Sequence, residues 1–436
     1  MAPRALILAA PQSGAGKTLV TLGLLRAFAR AGREVRGAKS GPDYIDPAFH
    51  QAACGQPSVN LDAFAMTPPA LRAYAQAQGG TLVLIEGAMG VLDGAADGTG
   101  SVADLAVALD VPVVLILDIA RSAQSASLAV AGLRALRPEV QIAGVILNNV
   151  ASDRHAVMAR EALHAAGARV FGALPRRVAL HLPSRHLGLV QAGERDLSAI
   201  LETAADWAEA VDLDALAKSA APLGPAGRPH QPPQRLLPLG ARIAVARDTA
   251  FAFAYPHLLS DWHAQGAEIL PFSPLADEAP AEHADAVFLP GGYPELHAGP
   301  LSANTQFLSG LRRVAETALV YGECGGFMVL GEALICAQGT RHPMAGLLPV
   351  TTSFATPKRH LGYRQLHHQS PLPWPADLTG HEFHYSTLTQ QGACPALFEA
   401  TDALGTDLGP MGCQMGRICG SYGHVIAPRK PTTAAA

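Results

Sequence analysis

Two short runs in this chain carry residue types that could do chemistry. The first is Ser13-Gly14-Ala15-Gly16-Lys17-Thr18. Its glycines would let backbone N–H groups approach phosphate oxygens with no Cβ in the way, and a following helix N-terminus would add partial positive charge. Lys17 would neutralise the β- and γ-phosphates of a nucleotide, and the Thr18 hydroxyl would ligate Mg²⁺. The strict phosphate-loop pattern has glycine where this chain has Pro11. Strand, loop and helix signals nevertheless agree around it. Gly14, Ala15, Gly16, Lys17 and Thr18 are therefore the expected nucleotide-binding set.

The second run, Leu319-Val320-Tyr321-Gly322-Glu323-Cys324-Gly325-Gly326, passes from an apolar strand into Phe327-Met328-Val329-Leu330. It has the G-x-nucleophile-x-G form with cysteine in the serine position. Small neighbours permit a sharp turn that would present the sulfur at a helix N-terminus, a setting expected to lower the thiol pKa. His424, in Gly420-Ser421-Tyr422-Gly423-His424, is the candidate base. Pro290-Gly291-Gly292-Tyr293-Pro294-Glu295 ends another strand, and its backbone N–H groups could hold an oxyanion. Gly292, Tyr293 and Gly325 are the candidate donors. Cys–His chemistry of this kind points to acyl transfer or amide hydrolysis.

Phosphoryl transfer also needs acidic groups for the metal ion. Glu86 ends the apolar run Leu82–Ile85, and in a parallel sheet the carboxyl ends of strands line the ligand crevice. Asp43, Tyr44 and Asp46 lie in Lys39-Ser40-Gly41-Pro42-Asp43-Tyr44-Ile45-Asp46-Pro47, a sequence that equally suits a plain turn. Asn148 follows the run Ile142–Leu147 and could hydrogen-bond a base edge or cap a turn.

These residues need a scaffold, and the apolar runs outline one. Ala5–Ala10, Leu82–Ile85, Val111–Leu117 and Ile142–Leu147 are short, aliphatic and bounded by Gly, Pro, Asp or Asn. Amphipathic stretches separate them, as in βα crossovers around a parallel sheet. The pattern restarts at Ile243–Ala246, Glu268–Phe272, Ala286–Leu289 and Leu319–Tyr321. Between the two series, residues 218–240 carry six prolines, which suits an extended linker. The expected fold is α/β in two domains, 1–217 and 241–436, each a mostly parallel sheet with flanking helices.

Composition narrows the function classes. Of 436 residues 49% are hydrophobic and 16% charged, which favours folded domains over disorder. Lys+Arg 32 against Asp+Glu 36 leaves no basic excess for a nucleic acid backbone or an acidic membrane surface. No stretch approaches the ~20 apolar residues of a spanning helix. Arg4 and the following apolar run faintly imitate a signal peptide, but a buried strand is the better use of that run. The six cysteines show no metal-ligand spacing and are expected to be reduced thiols in the cytoplasm.

Taken together, the motifs resemble a known family. Tyr321-Gly322-Glu323-Cys324-Gly325-Gly326, the 290–295 loop and the late His424 resemble class I glutamine amidotransferases. The first domain resembles dethiobiotin-synthetase-like P-loop ATPases. With residues 41–47, 86–94, 184–190, 246–255 and 381–386 added, nearly the whole chain resembles the cobyrinic/hydrogenobyrinic acid a,c-diamide synthases. The resemblance implies that Cys324 and His424 release ammonia from glutamine, while Mg·ATP activates the a and c acetate carboxylates of a corrin as acyl phosphates. A related enzyme acting on another tetrapyrrole or on other corrin carboxylates is the alternative. It also implies Thr18, Asp43 and Glu86 near the metal ion, and Tyr44, Asp46, Asp93, Arg185 and His186 near the substrate. A homodimer is compatible with this reading. Two departures stand out: Ser184 occupies a commonly acidic position, and Ile426 replaces the glutamate that usually follows the histidine by two residues.

Overall fold

The computed structural model describes residues 2–176, 184–185, 188–189, 196–224 and 234–430. The chain forms two compact units, Met1–Pro233 and Gln234–Ala436.

In the first unit, β1 (Arg4–Ala9), β2 (Val35–Ser40), β3 (Val59–Leu61), β4 (Leu82–Glu86), β5 (Val113–Asp118), β6 (Ile142–Val150) and β7 (Val170–Pro175) form a parallel sheet. Their order is β3-β2-β4-β1-β5-β6-β7. The crossovers are α1 (Lys17–Arg30), α2 (Asp46–Cys54), α3 (Pro68–Ala77), α4 (Val102–Leu109), α5 (Ser127–Leu136) and α6 (Asp153–Ala165). Helices cover both faces, so strands such as Leu82-Val83-Leu84-Ile85 are apolar throughout and fully buried. β1, the segment that imitates a signal peptide, lies centrally in this sheet. In register, Leu8 and Lys39 flank Glu86, and Asp118 is opposite Asn148. One edge of the sheet thus gathers the carboxyl ends of the strands and the polar residues found there.

A short ladder, β8 (Ser184–Arg185) with β9 (Gly188–Leu189), precedes α7 (Ser198–Ala208) and α8 (Leu213–Ser219). β10 (Ala221–Pro222) then pairs antiparallel with β1. Lys218 to Pro222 therefore belong to the first unit, although the prolines suggested a linker from 218. At the other end, Leu236 and Leu239 are buried, and the Trp374 indole donates to the Leu237 carbonyl at 2.9 Å. Proline bars interior pairing but not a two-residue edge contact.

The second unit is built on β11 (Arg242–Ala246), β12 (Glu268–Phe272), β13 (Ala286–Leu289) and β14 (Leu319–Glu323), with α9 (Pro256–Ala264), α10 (Ala298–Ala303), α11 (Thr305–Val314) and α12 (Gly325–Leu330). β15 (Ala333–Ile335), β16 (Arg341–Pro343), β17 (Val350–Ser353) and β20 (Thr387–Gln391) make a mixed four-stranded sheet. β18 (His360–His367), β19 (Asp377–His384), β21 (Phe398–Thr401), β22 (Asp407–Met411) and β25 (His424–Pro428) make an antiparallel one. β23 (Cys413–Met415) and β24 (Ile418–Ser421) complete the main sheet in the order β12-β11-β13-β14-β24-β23, parallel except at β23. The two extra sheets go beyond the single sheet expected from the apolar runs. Strands such as β18 and β20 are polar and largely half-exposed or exposed, so no aliphatic run marks them.

One expectation about the cysteines is corrected. Cys394 and Cys413 form a disulfide, with Cα atoms 5.8 Å apart, while Cys54, Cys324, Cys336 and Cys419 are free. The fold brings together two residues separated by 19 positions, within the span a disulfide needs. No described helix is long and apolar enough to cross a membrane.

Candidate functional site

In the first unit, residues 10–16 form the loop between β1 and α1. Gly16 is left-handed at φ +85°, and a Cβ there would lie 2.5 Å from Asn148 Nδ2, so both space and backbone require glycine. A cavity of about 450 Å³ opens over the loop, bordered by Gly14, Lys17, Thr18, Lys39, Glu86 and Asn148 among others. That volume lies within the range of small-ligand sites. Lys17 is 8% exposed, and its ammonium donates to the carbonyls of Met89 and, at 3.4 Å, Gln12. Burial, reinforced by the charge of Lys39, draws its pKa below the usual lysine value. A bound polyphosphate would supply the missing counter-charge.

Below the loop, the Thr18 hydroxyl donates to Glu86 Oε1 at 2.6 Å, and Lys39 Nζ donates to the same oxygen at 2.8 Å. Glu86 Oε2 faces His50 Nε2 at 2.8 Å, and His50 Nδ1 is 3.1 Å from the Ser58 hydroxyl. Lys39 is also 2.5 Å from Asp46 Oδ2. Burial alone would neutralise Glu86, but the Lys39 charge and the His50 hydrogen bond outweigh it and hold its pKa below the carboxylate range. For Asp46 the balance reverses: burial and the nearby Asp43 charge push it up to about 8. One ammonium between two buried carboxylates thus keeps Glu86 ionised. Thr18 and Glu86 offer adjacent oxygen donors, which suits a hard divalent cation.

The other expected site residues sit in varied settings. Asp43 Oδ1 accepts from the amides of Ile45 and Asp46 at 2.8 and 3.0 Å, which shapes the entrance to α2. Asp46 lies in the buried cluster on Lys39, away from any open surface. Tyr44 is half-buried, and Asp93 is exposed while accepting from the Gly90 amide at 2.8 Å. Asn148 braces the loop, since Nδ2 donates to the Ala15 carbonyl at 2.9 Å and Oδ1 accepts from the Asn149 amide, and its side chain also borders the cavity. Arg185 is described by its backbone in β8, and His186 lies outside the described residues. Lys39 and His50 were not anticipated. The four-residue spacing of Asp46 and His50 on α2, which puts them on one helix face, was the available signal.

In the second unit, Cys324 follows β14 at φ +47°, ψ −101°, a strained turn that leads directly into α12. Its amide donates to the Ser421 carbonyl at 2.8 Å, tying the turn to the end of β24. Three residues beyond that end β25 begins at His424, which is fully buried. Gly291 lies between the two side chains: a Cβ on it would clash with the His424 ring and lie 3.3 Å from Cys324 Cβ. Gly325 packs so closely on the 290–295 loop that a Cβ there would sit 3.0 Å from the Gly292 amide nitrogen. The Tyr293 ring is buried against Phe253, with centroids 5.0 Å apart.

The expected acidic thiol is not found. Burial pushes the Cys324 thiol well above its usual value, with the Glu295 charge adding to the effect. A six-residue buried helix does not offset that desolvation. Further out, Glu382 pairs with Arg364 Nε and His384 Nε2, each at 2.7 Å, and His384 stacks on Tyr422 with centroids 3.7 Å apart.

Family models match both units. Residues 6–190 match the CobQ/CobB/MinD/ParA nucleotide binding domain, and residues 242–432 match the CobB/CobQ-like glutamine amidotransferase domain. The chain is 52% identical over 426 residues to a hydrogenobyrinate a,c-diamide synthase of a Sinorhizobium species, covering 97% of this chain and 98% of that one. A protein of the same name from Rhodobacter capsulatus is 52% identical over 436 residues, covering 98% of this chain and 99% of that one. One from Mesorhizobium japonicum is 50% identical over 437 residues, again covering 98% and 99%. With half its residues identical to theirs across nearly its whole length, the chain belongs to the hydrogenobyrinate a,c-diamide synthase family.

Proposed function

We propose that this protein is a ligase that uses ATP and glutamine to amidate the a and c acetate carboxylates of hydrogenobyrinic acid, in cobalamin biosynthesis. One observation carries the reading: a phosphate-loop cavity and a buried Cys–His pair occur in one chain of this family. An amidation needs both an activated carboxyl and a source of ammonia.

In the second unit, Cys324 Sγ attacks the carboxamide carbon of glutamine while His424 takes the thiol proton. Backbone donors near Gly292, Tyr293 and Gly325 face the oxyanion. The C–N bond breaks, the proton passes to the leaving nitrogen, and ammonia departs. Water then hydrolyses the thioester to glutamate. In the first unit, a corrin carboxylate oxygen attacks the γ-phosphorus of ATP and ADP leaves. Ammonia attacks the resulting acyl carbon and phosphate departs. A free carboxylate resists that attack, whereas the acyl phosphate carries a competent leaving group.

Lys17 and the loop amides of Gly14, Ala15 and Gly16 bear on the phosphates, with Asn148 holding the loop in shape. Mg²⁺, held through Thr18 and Glu86 with Asp43 nearby, would neutralise charge on the transferred group. Tyr44, Asp93, Arg185 and His186 are assigned to the substrate side. The reading extends to a cytoplasmic location, where ATP and glutamine are available, and to a homodimer. The decisive assay supplies purified protein with ATP, glutamine and either hydrogenobyrinate or cobyrinate. Two successive amidations of hydrogenobyrinate by mass spectrometry are expected. Amidation of cobyrinate alone, or of neither, would overturn the substrate assignment.

A further inference from the structure

The glutaminase step proposed above needs a group to orient His424 and to offset the charge its ring acquires. In this chain Ile426 occupies the place of the customary glutamate and cannot serve. We infer that Glu323, the residue immediately before the nucleophile, is the positioning residue of His424.

Four observations support this. Glu323 Oε2 lies 3.5 Å from His424 Nδ1, and both side chains are shut off from solvent. Glu323 Oε1 accepts from the Tyr321 hydroxyl and the Val425 amide, each at 2.9 Å, so the carboxylate is held from two sides. Val425 follows His424, so the same carboxylate grips the strand that carries the imidazole. Finally, Nε2 and Cys324 Cβ both border the space at Gly291, which leaves Nδ1 as the nitrogen turned to Glu323.

A carboxylate there favours the tautomer with hydrogen on Nδ1, leaving the Nε2 lone pair for the thiol proton. The 3.5 Å separation exceeds that of a formed N–H···O bond. It suits a pair that tightens once the ring becomes imidazolium and the bond becomes charge-assisted. Consecutive residues of a strand ordinarily face opposite ways. The positive φ at Cys324 breaks that alternation where the positioning residue and the nucleophile, consecutive in sequence, must both meet one imidazole. Other titratable groups near His424 include Cys324, His381 opposite it on β19 and Tyr255, whose ring centroid is 6.5 Å away, and the charges of Glu295 and Glu382 reach Cys324. His381 is held neutral by burial, its pKa drawn down to about 3.

The inference rests on the amidotransferase reading, and the test separates the two. Glu323→Gln keeps an oxygen for Tyr321 and Val425 but removes the charge. The kcat for glutamine hydrolysis should fall about a hundredfold or more, with KM for glutamine little changed. Amidation from high ammonium should persist, and the acidic limb of the kcat–pH profile should move to lower pH. A variant with wild-type kcat and an unmoved limb overturns the assignment. If Glu323→Gln misfolds, losing ammonium-dependent activity as well, Tyr321→Phe serves instead. It should lower the glutaminase kcat several-fold with ammonium-dependent activity intact, and wild-type kcat there overturns the assignment too. Wild-type protein without glutaminase activity would instead defeat the amidotransferase reading, and this assignment with it.

Discussion

Lys39 Nζ lies 2.8 Å from Glu86 Oε1, and both side chains are buried directly opposite each other in the β2–β4 register. Through Lys39 the sheet places one ammonium under the phosphate loop, and through Glu86 an ionised carboxylate within 2.6 Å of the Thr18 hydroxyl. A buried ion pair is weak evidence for stability. Its value here is that it keeps Glu86 charged at the point where a cation and phosphates would meet.

Removing one partner exposes the cost. In Lys39→Met, Glu86 keeps its His50 and Thr18 partners but loses the charge that opposes desolvation. The substitution should destabilise the first unit by roughly 3–5 kcal/mol, as breaking buried pairs does. ATP-dependent amidation should be lost while glutaminase activity in the second unit survives. Urea unfolding with both assays checks this, and an unshifted midpoint would mean that Lys39 does not hold Glu86 ionised.

Lys17→Ala tests the phosphate loop. The lysine is buried with a lowered pKa and faces backbone carbonyls, so its removal should relieve a desolvation cost and leave the fold intact. ATP-dependent amidation should fall by at least a hundredfold, since the β- and γ-phosphates lose their fixed charge. Glutamine hydrolysis should partly survive. Unimpaired amidation would contradict the loop assignment.

Cys324→Ala separates the two half-reactions from the other side. Glutamine-dependent amidation should vanish, because no other described thiol follows a strand in a strained turn beside a buried histidine. Amidation from high ammonium should continue at an undiminished rate. Loss of both activities would mean that the thiol has another task.

How much of this was legible beforehand depended on range. The phosphate loop and the cysteine turn are contiguous runs in which glycine, lysine or cysteine and an apolar strand are neighbours, so both sites were visible. Strands buried on two faces announced themselves as aliphatic runs. Lys39 and His50 reach Glu86 from a neighbouring strand and a helix, and neither contact leaves a local mark. Glu323 lies inside the cysteine motif, but the strand it grips at Val425 is 102 positions away, so that contact leaves no local mark. Strands such as His360–His367 carry no aliphatic run, and the Cys394–Cys413 pair arises from β-strand packing that spacing could not reveal. The thiol pKa failed for a different reason: helix geometry was foreseen, but burial was the larger effect.

The buried histidines of the second unit should make its stability fall in mild acid. His257 Nε2 donates to the Ile426 carbonyl at 2.8 Å, and burial draws its pKa from 6.5 down to about 4. His381 is drawn down to about 3 by burial, with the His424 charge behind it. The folded state keeps both rings neutral where the unfolded chain takes up protons near pH 6.5, so the unfolded state binds more protons below that pH. The contribution is complete above pH 6.5 and is lost as pH falls toward 4 and 3, by up to about 1.4 kcal/mol per pH unit for each ring. In His257→Gln the slope of unfolding free energy against pH between 6 and 4.5 should decrease by about one proton. Urea unfolding at several pH values, followed by the fluorescence of Trp262 and Trp374, measures that slope. An unchanged slope would show that His257 is already protonated in the folded protein.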